Sequence, residues 1–155
     1  MKADDKIEAA LELCIEAHGE QGYEQFMHVF SVAAQAKNEE ELIVALLHDT
    51  MEDNPDIVDF DSLRRTFGPT IAFAVNILTR RSGEGYEDYI SSICCSESEL
   101  AMTVKLYDLE HNLSRMPSKG KKFTDRYTVA RARILKHLHP SSSIPIIYGD
   151  IQTSA

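Results

Sequence analysis

The chain has 155 residues, of which 43% are hydrophobic and 26% charged, and this balance predicts one globular domain rather than a disordered segment. Its formal net charge of −9 argues against binding to nucleic acid or to an anionic membrane surface, because both need an excess of Lys and Arg. The chain has no apolar run long enough for a membrane span and no signal-like N-terminus, and its three cysteines cannot all pair, so we expect a cytoplasmic protein.

Helical segments separated by short stretches of Gly, Pro, Asn and Ser account for most of the sequence, and no pair of strands with hairpin turns is evident. We therefore predict an all-α fold, a compact single-domain bundle of several helices. The domain covers residues 1–140, and residues 141–155 form a tail whose structure the sequence leaves open. In chain order, the predicted helices are 7–18, 23–36, 39–53, 62–67, 70–79, 86–95, 97–115 and 124–139.

Residues that favour helix ends mark several of these boundaries. Asp5 and Asn38 can cap the first and third helices, and Ser96 can cap the long helix that follows it. Gly68 and Pro69 predict the end of one helix and the immediate start of the next.

The third helix changes abruptly from apolar to ionisable residues. Residues 42–47 are apolar on every side, which predicts a buried helix. The helix continues into His48, Asp49, Glu52 and Asp53, which fall within one sector of roughly 140°. Because unpaired buried charges are costly, a divalent cation that accepts both imidazole and carboxylate ligands would compensate them. The alternative is that this last turn simply reaches the surface and is solvated.

The long helix before residue 115 has two apolar stripes separated by two polar faces. If both stripes are buried, only one polar face can reach solvent. One face consists of Ala101, Lys105, Asp108 and Asn112, and the other of Thr103, Glu110 and Ser114. We take the second face as exposed, so that the first points into a polar cleft. The alternative is an exposed ion pair between Lys105 and Asp108, worth a few tenths of a kcal/mol.

A histidine on one helix, a His-Asp-x-x-Glu-Asp motif that ends a buried helix, and a distant Asp on a Lys-x-x-Asp helix form a familiar pattern. It resembles the HD-domain metal-dependent phosphohydrolases, and most of all the SpoT-type guanosine tetraphosphate hydrolase domains and their small stand-alone relatives. The likeness spans residues 23–115. The stretches that carry it, in the order of the family, are 23–33, 45–53, 67–68, 78–80, 86–90 and 104–112.

The resemblance implies one bound divalent metal ion and a set of residues around it. We expect Mn²⁺, which suits mixed nitrogen and oxygen ligands, with Fe, Mg, Ni or Zn as alternatives. The implied metal ligands are His28, His48, Asp49 and Asp108. The pair implied to orient or deprotonate the attacking water is Glu52 and Asp53, without a choice between them. The residues implied on the substrate side are Lys105 and Asn112.

His28 is the residue on which periodicity and resemblance disagree. Its helix has an apolar stripe of Phe26, Val29, Phe30 and Ala33, and His28 projects roughly opposite to that stripe. Periodicity therefore predicts a surface histidine, whereas the resemblance implies a metal ligand.

Other polar and aromatic residues have structural interpretations from the sequence. His18 ends a helix, where a cation suits the helix dipole, and His111 shares an apolar stripe, which predicts a packed core histidine. Tyr86 and Tyr89 can stack on a nucleobase or pack in the core. Two basic loops are placed either to steer an anionic substrate or simply to be solvated. Their charged residues are Arg80, Arg81, Lys119, Lys121 and Lys122.

The function that the resemblance implies is hydrolysis of a phosphate or pyrophosphate ester of a small anionic nucleotide, with a guanosine 3′,5′-bis(diphosphate) 3′-pyrophosphohydrolase as the best match. Three departures from the SpoT-type pattern leave that substrate open: residues 18–22 replace a basic stretch, Val29 replaces a proline and Leu109 replaces an arginine. The alternatives are hydrolysis of other nucleotides, a catalytically inactive HD domain that senses a nucleotide, and a helical adaptor without metal. The sequence predicts no oligomeric state.

Overall fold

A computed structural model describes residues 3–115 and 120–140 of the chain. These residues form nine helices and no strand, which confirms the predicted all-α fold. The helices are α1 (Ala3–His18), α2 (Tyr23–Ala33), α3 (Glu39–Leu47), α4 (Thr50–Asp53), α5 (Phe60–Phe67), α6 (Pro69–Leu78), α7 (Tyr86–Cys95), α8 (Glu99–Ser114) and α9 (Lys121–Leu138).

Helix α3 is the central element of the bundle. Residues 43–47 are all buried, as its apolar sequence predicts, and the helix packs against α1, α2, α6 and α8. Each large apolar side chain buried there contributes about 1.5–3 kcal/mol relative to an exposed one. The C-terminal end of α3 is therefore held rigidly between α2 and α8, where the ionisable residues follow.

The predicted third helix is interrupted at its polar end. We expected one helix to residue 53, but α3 ends at Leu47 and α4 starts at Thr50. The Thr50 hydroxyl donates to the Leu47 carbonyl at 2.7 Å, and Nδ1 of His48 lies 2.8 Å from the Ala45 carbonyl. Such side-chain bonds to the backbone compete with the regular helical ladder. The break places His48 and Asp49 in a connection rather than within a helix.

Helix caps follow the sequence in part. Asn38 caps α3 as predicted, since its side chain accepts from the Glu41 N–H at 2.9 Å. The cap of α8 is Ser98 rather than Ser96, because the Ser98 hydroxyl accepts the Ala101 N–H. Ser96 lies two residues earlier, where its hydroxyl accepts the N–H of Ser98.

Some helix ends differ from the predicted ones by a few residues. Asp5 lies inside the first turn of α1 and is not its cap. Helix α2 ends at residue 33 instead of 36, α5 starts at residue 60 after the cap Asp59, and α9 starts at residue 121 instead of 124. Helix α7 has the predicted bounds, and α6 starts after Gly68, whose φ of +94° suits a glycine.

No helix in the described part of the chain is both long and apolar enough to cross a membrane. The predicted tail 141–155 and Lys119 lie outside the described residues, so the predicted boundary at residue 140 stays a prediction.

Candidate active site

Three helical regions bring the ionisable residues singled out above to one place. Ligand atoms of His28 on α2 and of His48 and Asp49 after α3 all lie within 4.8 Å of one another, a spacing that could hold a metal ion. Asp108 of α8 lies at the edge of this cluster, with its Oδ1 3.3 Å from Nε2 of His28. The structure therefore brings together the four side chains that the resemblance implied as metal ligands.

His28 is buried, with 5% exposure, so the surface position that periodicity predicts is wrong. The buried side of α2 carries His28 together with Val29 and Val32. Phe30 is instead 41% exposed, and its ring stacks with that of Phe26 at 6.1 Å on the outer side. The predicted apolar stripe includes this aromatic pair, and this turns the predicted inner face of the helix away from His28.

His48 has the hydrogen-bond pattern of a metal ligand. Its Nδ1 can only donate to the Ala45 carbonyl, 2.8 Å away, because that oxygen carries no proton. Its Nε2 is buried 3.2 Å from Oδ2 of Asp49 and has no hydrogen-bond partner among the described residues. A buried nitrogen left without a partner beside carboxylates fits a cation at this position.

The electrostatics of the cluster also favour a positive charge. Burial alone would lower the pKa of His48, but the nearby carboxylates of Asp49 and Asp108 outweigh it and raise the pKa to about 9. Burial would likewise raise the pKa of Asp49, yet the charge of His48 and their contact keep that pKa below its usual value. The carboxylates are thus held as anions, ready to coordinate a divalent cation.

Gln25 is a contact that the sequence analysis missed. Its side-chain amide donates to Oδ2 of Asp49 at 3.3 Å and to Oδ2 of Asp53 at 3.2 Å. The available signal was its position three residues before His28, on the same face of α2. Asp53 also lies 3.4 Å from Nδ1 of His18, which is fully buried and has the structural position that we expected.

Glu52, rather than Asp53, lines the cavity in front of the cluster. Its Oε2 accepts the backbone N–H of Arg80 at 3.0 Å, which orients the carboxylate. Burial raises the pKa of Glu52, and the nearby Asp49 adds to this, although the hydrogen bond from Arg80 opposes it. A positioned carboxylate with a raised pKa is typical of a general base.

The polar face of α8 points inward, as predicted. Nζ of Lys105 lies 2.7 Å from Oδ2 of Asp108, and the Asn112 amide donates to Oδ1 of the same carboxylate. Burial opposes the charge on Lys105, but Asp108 raises the pKa of Lys105 well above its usual value; in turn Lys105 keeps the pKa of Asp108 low against the effect of its burial. The alternative of an exposed ion pair is therefore wrong.

The opposite polar face of α8 is less exposed than we predicted. Of its three residues only Ser114 is exposed, whereas Thr103 and Glu110 are half-buried. Helix α9 packs against α8, and Arg131 forms an ion pair with Glu110 at 2.9 Å. The sequence did not predict that a second helix covers this side.

Two residues near the end of α8 contact the cluster from outside, and the sequence analysis did not predict either contact. His111 is half-buried rather than packed in the core, and its Nδ1 lies 2.8 Å from Nδ1 of His28. Burial and the charge of Arg115 lower the pKa of His111. Arg115 donates to Oδ1 of Asn112 at 2.8 Å and lies 3.3 Å from Nδ1 of His28. The only available signal was the spacing of three and seven residues from Asp108.

A cavity of about 270 Å³ lies in front of the cluster. The cations that line it are Arg80, Lys105 and Arg115, and the aromatic rings are Tyr86, Tyr89 and Tyr127. Tyr89 is buried, and its hydroxyl donates to the Leu78 carbonyl, whereas the half-buried Tyr86 ring lies 5.6 Å from that of Tyr127. The cavity therefore combines cations and aromatic rings with the carboxylates of Asp49, Glu52 and Asp108.

The basic residues of the two loops have different positions. Arg80 lines the main cavity, while Arg81 lines a neighbouring one that also contains Glu52. Lys121 and Lys122 are exposed at the start of α9 and do not line the main cavity.

No protein-family model matches the chain, and no curated protein matches its sequence. Among solved structures, it is similar to one described as a metazoan ortholog of SpoT that hydrolyses ppGpp and plays a role in starvation responses. The TM-score is 0.66, with 23% sequence identity over 89% of this chain and 88% of that one. This chain has the fold of that SpoT ortholog. The likeness covers nearly the full length of both proteins and confirms the fold that the six motif stretches implied.

Proposed function

We propose that this protein is a metal-dependent phosphohydrolase of a small anionic nucleotide. The observation that carries the proposal is the cluster of His28, His48 and Asp49, with Asp108 at its edge and Glu52 beside it, within the fold of a ppGpp hydrolase. A helical adaptor would not need two buried imidazoles packed against the buried Asp108 and the half-buried Asp49, because such an arrangement costs stability unless a cation compensates it.

The chemistry of the ligands suits one divalent cation, and Mn²⁺ is the best match to two imidazoles and two carboxylates. His28 and His48 would contribute Nε2, and Asp49 and Asp108 one carboxylate oxygen each. When bound, the cation supplies polarisation of the phosphoryl group and activation of a water molecule. The side chains around the site provide proton transfer and substrate binding.

Glu52 is the residue that we assign as general base. In the proposed reaction the oxygen of water attacks the phosphorus, the bond between phosphorus and the leaving oxygen breaks, and the water proton passes to Glu52. The leaving oxygen then takes a proton from solvent. The Arg80 N–H holds the Glu52 carboxylate at the cavity wall, so the base is oriented before the substrate binds. Asp53 contacts Gln25 and His18 instead, and Gln25 also donates to Asp49.

Cations that line the same cavity provide the substrate side. The basic residues that line the cavity are Lys105, Arg80 and Arg115. They can bind phosphate oxygens and offset the repulsion between an anionic substrate and the acidic chain. The rings of Tyr86 and Tyr127 offer a surface on which a nucleobase can stack.

The best candidate substrate is guanosine 3′,5′-bis(diphosphate), cleaved with release of pyrophosphate. A second candidate, hydrolysis of another nucleotide, is favoured by residues 18–22, where a basic stretch of the SpoT-type pattern is replaced. The first of these residues, His18, is fully buried against Asp53 and is not available to a substrate.

A panel of nucleotides incubated with the protein and Mn²⁺ tests the proposal, with release of pyrophosphate and orthophosphate measured separately. We expect pyrophosphate from guanosine 3′,5′-bis(diphosphate) and none from the Asp49→Ala variant. Orthophosphate from a different nucleotide would favour the second candidate. Nucleotide binding without turnover would instead indicate an inactive sensor, and absence of both metal and nucleotide binding would indicate an adaptor.

A further inference from the structure

The two ring nitrogens of His28 face different surroundings. Nε2 points into the cluster, 3.3 Å from Oδ1 of Asp108 and 3.7 Å from Oδ2 of Asp49. Nδ1 points the other way and lies 2.8 Å from Nδ1 of His111. His111 is therefore placed to act on the outer nitrogen of His28 without touching the inner one.

The two imidazoles meet edge to edge. Their centroids are 5.0 Å apart and their planes differ by 29°. A distance of 2.8 Å between the two nitrogens, added to the distance from each nitrogen to its ring centroid, gives a centroid separation close to 5.0 Å. This holds only when both nitrogens lie on the line that joins the centroids. At this distance two N–H groups would clash and two bare nitrogens would repel, so one proton lies between the rings and the contact is a single N–H···N hydrogen bond.

Whether His28 can bind a cation depends on which of the two rings donates this proton. A neutral imidazole has one N–H and one bare nitrogen, so a bare Nε2 requires the proton on Nδ1. His28 then donates from Nδ1, and His111 accepts on its own Nδ1. We propose that His111 is a positioning residue that holds His28 with a bare Nε2 directed into the cluster. This inference rests on the proposed function, because it assumes that the cluster binds a metal.

The other contacts of His28 show why such an acceptor is needed. For His48 the backbone carbonyl of Ala45 is the acceptor that keeps the proton on Nδ1, since a carbonyl oxygen can only accept. Among the described residues, no backbone group plays this part for the outer nitrogen of His28. It faces His111 and Arg115, and Arg115, at 3.3 Å, can only donate. A donor alone would favour a bare Nδ1 and a protonated Nε2, which cannot coordinate a metal. His111 is therefore the acceptor that opposes Arg115.

Metal binding by the full chain tests this role without relying on activity. We compare wild type with His111→Phe, which keeps an aromatic ring but removes both nitrogens, and with His111→Asn, whose Oδ1 can accept in place of Nδ1. The matched control is His137→Phe, an exposed histidine at the end of α9. Mn²⁺ affinity is measured by calorimetry, and helical circular dichroism checks the fold.

We expect His111→Phe to weaken Mn²⁺ binding by about 10- to 100-fold, as the loss of such outer contacts to ligands does elsewhere. His111→Asn should recover most of the affinity, and His137→Phe should equal wild type. Unchanged affinity in His111→Phe, with Mn²⁺ still bound by wild type, would overturn the role of His111 and leave the proposed function intact. Failure of wild type to bind Mn²⁺ would overturn both.

A second measurement needs no variant and holds even if His111→Phe does not fold. In ¹⁵N-labelled wild type with Zn²⁺, a diamagnetic probe, we expect the proton on Nδ1 of His28 and a scalar coupling between that nitrogen and Nδ1 of His111. A bare Nδ1 on His28 in the Zn²⁺-bound protein, or a proton found on Nδ1 of His111, would contradict the proposal.

Discussion

Lys105 and Asp108 form a buried ion pair one helical turn apart on α8. Nζ of Lys105 lies 2.7 Å from Oδ2 of Asp108, and the two side chains are only 12% and 8% exposed. An ion pair at this spacing on a helix surface contributes little, whereas a buried pair leaves a costly unpaired charge when one partner is removed. Lys105 thus keeps Asp108 charged beside the cluster in the absence of a cation.

The first prediction follows from this pair. Lys105→Met should lower the free energy of unfolding of the metal-free protein by about 3–5 kcal/mol, because it leaves the Asp108 carboxylate buried without its partner. Added Mn²⁺ should recover part of the loss, since a cation in the cluster takes over the compensation of that charge. Chemical denaturation with and without Mn²⁺ measures both effects. Lys136→Met, on the exposed side of α9, is the control. Equal stability of the Lys105→Met variant and wild type would show that Lys105 does not compensate Asp108.

Removal of a ligand should separate metal binding from folding. Asp49→Ala should abolish Mn²⁺ retention and turnover while the helical circular dichroism signal persists, because Asp49 lies in the connection after α3 and not in the core. Metal content after gel filtration and an activity assay measure the outcome. Asp61→Ala, at the exposed start of α5, serves as control. Turnover that survives in the Asp49→Ala variant after metal removal would exclude the proposed mechanism.

The role of Glu52 should be visible in kcat. Glu52→Gln should bind Mn²⁺ like wild type, because the amide can still accept the hydrogen bond from the Arg80 N–H. Its turnover should fall by about 10²–10⁴-fold, because the amide cannot take up the proton of the attacking water. Asp53→Asn should lose less, because Asp53 does not line the cavity. Steady-state kinetics with saturating metal compares the two. A larger loss of turnover in Asp53→Asn than in Glu52→Gln would assign the role of general base to Asp53.

The raised pKa of Glu52 also predicts a dependence of stability on pH. Burial raises the pKa of Glu52 in the folded protein above its usual value of 4.5. A group of this kind contributes stability below its unfolded pKa and loses that contribution as the pH rises through its folded pKa. Since Gln mimics the protonated form, metal-free Glu52→Gln should be more stable than wild type at neutral pH and equal to it at about pH 4.

Thermal unfolding of the two metal-free proteins between about pH 4 and pH 8 checks this expectation. Their difference isolates Glu52, because all other groups titrate in both. The effect should be small, since Glu52 is exposed and solvent screens its charge. A Glu52→Gln variant that is less stable than wild type at neutral pH would show that the carboxylate stabilises the fold.

Features that depend on neighbouring residues were predictable from the sequence. The buried helix α3, its cap Asn38 and the bounds of α7 all follow from apolar patterns and local hydrogen bonds. The two apolar stripes of α8 predicted that one of its polar faces points inward, and the face that we took as the inward one, with Lys105 and Asp108, does so. Nearly all the helices were predicted in the right order for the same reason, although several of their ends differ by a few residues.

The sequence alone determined that this is an all-α chain with an ionisable turn after a buried helix, because periodicity and caps act over a few residues. Only the tertiary structure decided that His28 faces inward, since α2 carries enough apolar surface for either side to pack and the packing against α3 and α8 selects one. The same packing brings His111 to His28 across 83 positions of chain. Contacts of that range depend on how whole helices pack against one another, and no local pattern encodes them.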